Sequence, residues 1–184
     1  MERSACVLYS GAASGAEATF GAAAQAHRIA EVNFSFEGHK DARTRGLRVL
    51  TPEELEHGDV SLAYVSRLMN RAYRDTPLFK KVLQSIWHQV NAGQEVWVVG
   101  RILDDGTVKG GTGWGAEFAK LCNKPLTVWD QGPGEWYRWK GDRQVWDVVD
   151  APVIGHPHFT GTGTRFLDDG GRTAIQELFE RSFG

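Results

Sequence analysis

The hydrophobic positions along the chain form short apolar runs, separated by glycine-rich segments and by longer stretches with helical spacing. Unbroken apolar runs, such as residues 5–9 and 96–102, are typical of strands buried on both faces of a parallel sheet. Apolar residues three or four positions apart, as in residues 78–92, indicate amphipathic helices. The pattern predicts strands at 5–9, 32–36, 96–102 and 126–129, edge strands at 145–149 and 153–154, and helices up to about residue 30, from residue 51, and over 61–73, 78–92, 115–122 and 173–183.

Strands that alternate with helices predict an α/β fold, here a Rossmann-like three-layer sandwich with a mostly parallel central sheet. The chain has 184 residues, 41% of them hydrophobic, which is enough for one sizeable core and too little for two. We therefore expect residues 1–184 to form a single domain. Residues 130–141 contain Gly132, Pro133 and Gly134 and are predicted to be irregular, within a tryptophan-rich insert at about 131–150.

Charge and cysteine content narrow the classes of function. A formal net charge of −2 and a pI near 6.3 give no general attraction to nucleic acid or to membranes. No apolar run approaches the ~18 residues of a membrane-spanning helix, and Met1 leads into a predicted strand rather than a signal peptide. Cys6 and Cys122 are expected to be two buried reduced thiols rather than a disulfide or a metal site. These features predict a cytoplasmic protein that binds neither nucleic acid nor membranes.

Three glycine-rich segments adjoin predicted strands, and each is predicted to be a turn. Parallel strands end at one edge of a sheet, so we expect the three turns to line a single crevice there. Unpaired amides at a helix N-terminus attract anions and glycine permits close approach, although glycines also serve ordinary tight turns. The candidate phosphate- or ligand-binding residues are Ser10, Gly11, Ser14, Gly15 and Glu17; Gly110, Gly111, Thr112, Gly113 and Trp114; and Thr160, Gly161, Thr162 and Gly163.

Glu117 follows the second glycine segment, in the first turn of the helix predicted at 115–122. A carboxylate at that position can stabilise the start of the helix through its dipole or a capping box. It can also act on a sugar next to a bound phosphate, as a nucleophile, a base or a ribose anchor. The residues alone leave both interpretations open.

Two other groups also have a structural and a functional interpretation. His39, Arg43 and Arg45 lie in a predicted loop on the ligand side of the sheet; such a histidine is more often a surface residue than a catalyst, and the arginines are candidate phosphate ligands. Trp136 and Trp139 belong to a polar stretch. They could stack on a base, although exposed aromatic clusters more often cover the edge of a sheet.

The glycine segments resemble those of the SLOG superfamily. This Rossmann-like group includes the LOG-type cytokinin-activating phosphoribohydrolases, the DNA-processing protein A family, the YpsA-like proteins and the molybdenum-cofactor-carrier-like proteins. The LOG signature GGxGTxxE is similar to residues 110–117, GGTGWGAE, with Trp114 in place of threonine. The YpsA-like SGGxxGxD is similar to residues 10–17, SGAASGAE, and its Tyr-x-x-Arg to Tyr64 and Arg67. The similarity does not reach the tryptophan-rich insert or residues 160–165.

The resemblance implies a pocket for a nucleotide or a nucleotide-derived phosphorylated small molecule. We expect a ligand-binding or sensing protein, with no cofactor and no metal. The alternative is an N-glycosidase, similar to the nucleoside 5′-monophosphate phosphoribohydrolases, or a related transferase. In LOG-type enzymes the equivalent of Glu117 serves hydrolysis of the N-glycosidic bond, and Arg67 is the candidate for their catalytic arginine. LOG-like relatives are commonly dimers, so the resemblance is compatible with a homodimer.

Overall fold

The central sheet runs through the whole molecule in the computed structural model, which describes residues 1–73 and 76–184. Its strands are Val7–Gly11 (β1), Ala30–Phe36 (β2), Leu47–Leu50 (β3), Glu95–Gly100 (β4), Leu126–Asp130 (β5), Glu135–Lys140 (β6), Val145–Val149 (β7) and His158–Gly163 (β8). They lie in the order β3-β2-β1-β8-β4-β5-β6-β7. The strands from β3 to β5 in this order are parallel, and β6 and β7 continue the sheet as an antiparallel hairpin.

Helices cover both faces of the sheet. In the described residues they are Ala16–Ala26 (α1), Pro52–Glu56 (α2), Asp59–Met69 (α3), Pro77–Ala92 (α4), Thr112–Leu121 (α5) and Asp169–Phe183 (α6). One apolar cluster joins α1 and α6 to the sheet, and a second joins α3, α4 and α5 to it. The fold is therefore the predicted α/β class, a Rossmann-like three-layer sandwich with a mostly parallel sheet.

Local sequence signals explain where several helices begin. Thr51 and Glu54 form a reciprocal capping box at α2, whose first residue is Pro52. Thr76 accepts a hydrogen bond from the amide of Phe79 at the start of α4, and Pro77 occupies the first helical position. The predicted helix over 78–92 is thus confirmed, one residue longer than expected. None of the helices in the described part of the chain is long and apolar enough to cross a membrane.

The topology gathers helix N-termini at one edge of the sheet. Helices α1, α2, α5 and α6 directly follow the parallel strands β1, β3, β4 and β8, and α4 directly precedes β4. These five helices therefore begin at the edge where the parallel strands end, which we call the carboxyl edge. Strand β1 leads outward to β2 and strand β4 leads the opposite way to β5, with β8 between them. Ligands of such sheets bind at this reversal of strand order.

Four predictions about local structure are wrong. Residues 160–163 belong to the central strand β8 rather than to a turn, β6 occupies the stretch predicted to be irregular, β3 begins inside the predicted loop 40–48, and residues 153–154 form no strand. The glycines of β8 misled the prediction because they serve packing: a Cβ on Gly161 would lie 2.5 Å from Cγ of Phe20. Strand β6 was hidden by the glycines and proline that form the turn before it.

The two cysteines differ in environment. Cys6 is buried, as predicted, but Cys122 is exposed just after α5, so the expectation of two buried thiols is wrong for Cys122. Both are free thiols. Burial raises the pKa of Cys6, and partial desolvation of the thiol by neighbouring atoms raises that of Cys122.

Candidate functional site

Glu17 occupies the carboxyl edge where β1 and β8 end. Its residue is only 6% exposed, and its carboxylate accepts hydrogen bonds from the hydroxyl of Thr162, at 3.0 Å, and from the amide of Ala13, at 3.1 Å. Burial raises the pKa of Glu17, and hydrogen bonds from Thr162, Ala13 and Gln89 and the interaction with His39 oppose that rise only in part. A carboxyl group that is buried, hydrogen-bonded and shifted in pKa is typical of a functional site.

Glycine at position 11 makes room for this arrangement. A Cβ on Gly11 would lie 2.2 Å from Oε2 of Glu17 and 2.6 Å from Nε2 of Gln89. Gln89 is 1% exposed, and no described group bonds its Oε1. Sequence reasoning missed Gln89, because it comes from α4, far from Glu17 along the chain.

The first glycine turn is closed by the chain that follows β8. Gly15 has a φ of +88°, and a Cβ there would lie 2.5 Å from the carbonyl oxygen of Thr164. The same carbonyl accepts a hydrogen bond of 3.0 Å from the amide of Ala16, the first residue of α1. Ser14 is exposed beside it. The start of α1 is therefore occupied by the protein's own backbone rather than open to an anion.

The third glycine-rich segment, residues 160–163, is part of strand β8, and most of its contacts hold the sheet together. The hydroxyl of Thr160 donates to the carbonyl of Gln89 at 2.7 Å, and Gly161 accepts a hydrogen bond of 2.5 Å from the hydroxyl of Ser10. A Cβ on Gly163 would lie 2.3 Å from the carbonyl oxygen of Val99. Thr160, Gly161 and Ser10 are buried, so they are structural in this conformation, and Thr162 is the residue of this segment that bonds Glu17.

The second glycine segment leads into α5 three residues earlier than predicted. The amides of Gly113 and Trp114 bond the carbonyls of Gly110 and Gly111 within the first turn. No described group accepts a hydrogen bond from the amides of Gly111 and Thr112, and no described side chain caps the helix. Gly110 is exposed, and the space next to its Cα is open. These residues are the open part of the candidate site.

Trp114 does not face this open part. Its residue is 2% exposed, and its ring packs on the ring of Tyr73, with 5.6 Å between the centroids. The expectation that Trp114 contacts a ligand is therefore wrong for this conformation. The ring instead fills the space between α3, α4 and α5 in the second apolar cluster.

Glu117 lies in the second turn of α5, because the helix begins at Thr112. Its Oε1 is 2.7 Å from Nζ of Lys120, which also lies 3.8 Å from the ring centroid of Trp139 and 4.9 Å from that of Trp146. The carboxylate is thus held in an ion pair under the β6–β7 hairpin. The prediction that it stands in the first helical turn beside the anion site is wrong.

Arg67 is exposed on α3, whereas Arg71 contacts the loop before α5. Arg71 donates from Nη1 to the carbonyl of Val108, at 3.0 Å, and from Nη2 to the hydroxyl of Thr107, at 2.6 Å. A Cβ on Gly113 would lie 2.7 Å from Nη1 of Arg71. Arg71 is therefore a cation held next to the start of α5. Sequence reasoning passed over it because Arg67 fits the family spacing.

His39 has partners that the sequence analysis did not assign. Its Nδ1 lies 2.6 Å from Oδ1 of Asp41, which also accepts a hydrogen bond of 2.7 Å from the hydroxyl of Ser35. All three lie at the carboxyl end of β2, and His39 interacts electrostatically with Glu17. The spacing Ser-x3-His-x-Asp was readable in the sequence, but nothing in it shows that the loop folds back onto Ser35.

The remaining candidates have structural partners. Arg43 donates to both carboxylate oxygens of buried Glu31, and Nη1 of Arg45 lies 2.9 Å from the same carboxylate. Trp136 packs edge-on against Trp97 and Trp129, as expected of an aromatic residue that covers the sheet. Trp139 packs on Trp146. In this conformation the arginines hold a loop against β2 and the tryptophans hold the hairpin.

The three glycine-rich segments adjoin the carboxyl edge of the sheet. Gly15 contacts Thr164 just after β8, and a Cβ on Gly115 of α5 would lie 4.0 Å from Cγ2 of Thr162, whose hydroxyl bonds Glu17. A groove of about 630 Å³ between α1 and α6 contains none of the candidate residues. No group of three or more histidine, cysteine, aspartate or glutamate side chains in the described residues could hold a metal ion.

Comparison of the chain with protein-family models, with curated proteins and with solved structures finds no match.

Proposed function

We propose that this chain is a SLOG-like protein that binds a nucleotide or a nucleotide-derived phosphorylated small molecule at the carboxyl edge of the sheet. The phosphate lies at the start of α5, on the amides of Gly111 and Thr112, and Arg71 adds a positive charge nearby. The rest of the ligand extends along the edge toward Glu17.

The single observation that supports this proposal is the uncapped start of α5. Four other helices begin at the same edge, and each has an internal partner: Thr51 caps α2, Thr76 caps α4, Asp168 accepts from the amide of Gly171 in α6, and the Thr164 carbonyl accepts from α1. Among the described residues, the first amides of α5 have none. Unpaired amides at a helix start carry about half a positive charge, which a phosphate can neutralise.

The position of Glu17 agrees with the second half of the proposal. Its carboxylate accepts a hydrogen bond from Thr162, and a Cβ on Gly115 of α5 would lie 4.0 Å from Cγ2 of that threonine. A carboxylate on the same edge of the sheet as an anchored phosphate can accept hydrogen bonds from sugar hydroxyls. Glu17 therefore replaces Glu117 as the acidic residue of the proposed pocket.

An N-glycosidase that uses Glu117 and Arg67 is less consistent with these contacts. Glu117 is bonded to Lys120, and Arg67 is exposed on α3. For this reason we favour a binding or sensing role over that reaction.

Isothermal titration calorimetry of the full chain with AMP, GMP, CMP, UMP, the four nucleosides and inorganic phosphate tests the proposal. At least one monophosphate should bind more tightly than its nucleoside, because the nucleoside has no group for the α5 amides. Equal affinity of nucleoside and nucleotide, or no binding of either, would contradict the proposal. Chromatography of the same mixtures for free base tests the glycosidase.

Two variants of Gly111, one charged and one neutral, test whether the phosphate binds at the start of α5. A Cβ on Gly111 would meet only Phe79 at 3.6 Å and Leu83 at 4.0 Å, so the position tolerates a side chain. Gly111→Asp should weaken binding of the monophosphate at least about tenfold through charge repulsion, which corresponds to about 1.4 kcal/mol. Gly111→Asn has the same size without the charge and should weaken it less. Equal effects would place the anion elsewhere.

A further inference from the structure

The outer face of helix α1 carries no charge. Helices α1 and α6 follow the neighbouring parallel strands β1 and β8, so they run side by side in the same direction. The residues of α1 that reach the surface are Ala18, Thr19, Ala22, Gln25 and Ala26. A helix that faces water on one side normally has charged and polar residues there. The outer face of α1 is instead small and mostly apolar, which suits contact with another protein surface.

The groove of about 630 Å³ between α1 and α6 extends along both helices. Residues 18–27 form its α1 wall and residues 172–180 its α6 wall, so that each wall is about 12 to 14 Å long. Nε2 of His27 lies 3.8 Å from Oε2 of Glu180, which places the far ends of the two walls at the same level. The groove is thus straight and open over about two helical turns.

The α6 wall has opposite charges at its two ends. Arg172 lies near the start of α6 and Glu180 near its end, and both are exposed. Among the described residues, the Arg172 guanidinium has no ion-pair partner, and the Glu180 carboxylate has His27 alone. The helix dipole favours the reverse order, with anions near the N-terminus and cations near the C-terminus. Their own helix therefore does not stabilise these two charges, and a partner of opposite charge can bind each of them.

We propose that this groove is the interface between two copies of the chain, related by a two-fold axis that passes Ala22 and Gln176. A two-fold axis across the helices makes the same surface meet itself, with α1 against α1 and α6 against α6, each pair antiparallel. Positions 172 and 180 are equally far from 176. Arg172 of each copy therefore lies opposite Glu180 of the other copy.

The charges and the alanines select this arrangement. Two α1 helices that meet through alanines can approach to about 8 Å, the short end of the range for packed helices. The two reciprocal ion pairs set the orientation and the choice of partner more than they add affinity. If the axis ran along the helices, Arg172 would instead face the uncharged start of α1. The antiparallel arrangement is therefore the one in which the charges are complementary.

The interface leaves the carboxyl edge of each copy free. Helices α1 and α6 lie on one face of the sheet, and α5 lies on the other. Both α1 and α6 begin at the carboxyl edge, so the antiparallel arrangement places the carboxyl edges of the two copies at opposite ends of the interface. The interface is thus independent of the ligand that we propose for that edge.

Sedimentation velocity of the full chain over a range of concentrations tests the interface. Wild type should form a species of twice the 20.4 kDa chain mass as the concentration rises. Arg172→Glu and Glu180→Arg should each raise the dissociation constant at least about tenfold, because like charges then face each other at both ends. A wild type that stays monomeric, or charge reversals that leave the dissociation constant unchanged, would overturn the proposal.

A mixture of the two charge-reversal variants tests the antiparallel pairing itself. In a mixed dimer of Arg172→Glu with Glu180→Arg, every facing pair has opposite charges again. The equimolar mixture should therefore associate about as tightly as wild type, which also shows that both variants are folded. Association in the mixture no tighter than in either variant alone would contradict the pairing of position 172 with position 180.

A variant at the axis and a matched control locate the interface. Ala22→Arg places two like charges against each other at the two-fold axis and should abolish the dimer. Ala63→Arg is the same substitution at an exposed position of α3, on the other face of the sheet, where Tyr64 and Leu68 are exposed as well. It should associate like wild type. Loss of the dimer in Ala63→Arg, with association of Ala22→Arg unchanged, would show that α3 forms the interface and the groove does not.

Discussion

The tripeptide Gly-Ala-Glu occurs twice in this chain, at residues 15–17 and 115–117, each time next to a glycine-rich segment that follows a buried parallel strand. In α1 it stands at the helix start, with Gly15 as the N-terminal cap, and Glu17 turns back to the carboxyl edge. In α5 it stands one turn further along, and Glu117 points to Lys120 below the hairpin. The motif thus lies one helical turn later in α5 than in α1. This shift places Glu17 in the candidate site and Glu117 in a structural ion pair.

The surroundings of the two glutamates explain the rest of the difference. Donors from three other parts of the chain converge on Glu17, and burial raises its pKa. Glu117 has a single cation from its own helix, shared with two tryptophan rings. A short motif therefore specifies that a carboxylate follows a glycine turn, while the start of the helix and the neighbouring elements specify what the carboxylate does.

The largest predicted difference in stability is between substitutions of Gly15 and Gly115, the first residues of the two tripeptides. Gly15→Ala should lower the free energy of unfolding by about 3 kcal/mol, because it forces a side chain into positive φ and against the Thr164 carbonyl. Gly115→Ala should lower it less, by about 1 kcal/mol. Its gain in helix propensity only partly offsets the overpacking, because the new Cβ would lie 2.8 Å from Cγ2 of Ile86, a β-branched side chain that is stiff at χ1. Urea unfolding of both variants measures the contrast, and similar losses would show that α1 and α5 begin alike.

A smaller loss is expected at the ion pair in α5. Lys120→Met retains the apolar stem but removes the bond to Glu117, the bond to the Gly106 carbonyl and the contacts with the tryptophan rings. We expect about 2 kcal/mol less stability, since a charge-assisted hydrogen bond and a cation–π contact each contribute about 1 to 2 kcal/mol.

The double variant Lys120→Met/Glu117→Gln is the control for this effect. If the pair interacts as the geometry indicates, the double variant should lose less stability than the sum of the two single variants. Additive losses would mean that Lys120 stabilises the hairpin through the Gly106 carbonyl and the tryptophan rings rather than through Glu117, and Glu117 would then be free for another role.

The order of the elements was predictable from the chain, but the contacts of the candidate site were not. The unit β4-α5-β5 follows from two apolar runs around a helix, and α4 from an apolar stripe of period near 3.6. Strand β8 was missed because its glycines read as turn residues, although they make room for Phe20. The glutamine beside Glu17 and the serine beside His39 depend on tertiary packing, which spacing along a sequence does not encode.

The protonation of Glu17 should make the stability of the protein depend on pH. Its contribution to the free energy of unfolding should change by about 1.4 kcal/mol for each unit by which its pKa differs between the folded and the unfolded protein. Burial raises the pKa in the folded state above the ordinary value of 4.5, so the folded protein binds this proton more tightly. Wild type should therefore lose stability relative to Glu17→Gln as the pH rises from 4.5 through the folded pKa. Urea unfolding of both proteins at a series of pH values measures this difference. Wild-type stability that stays constant or rises relative to that of Glu17→Gln over this pH range would mean that Glu17 is held as a carboxylate.

The smallest predicted change in stability concerns Arg67, one of the two arginines considered as the cation near α5. Arg67→Ala should change the free energy of unfolding by less than about 0.5 kcal/mol, because the side chain is exposed on α3. Arg71→Leu should cost more, since the carbonyl of Val108 and the hydroxyl of Thr107 lose their donor beside the start of α5. The same pair of variants in the nucleotide titration should weaken binding only at Arg71. Weaker binding in Arg67→Ala, with its stability unchanged, would instead favour the arginine that the family spacing indicates. The ligand would then lie over α3 rather than along the edge toward Glu17.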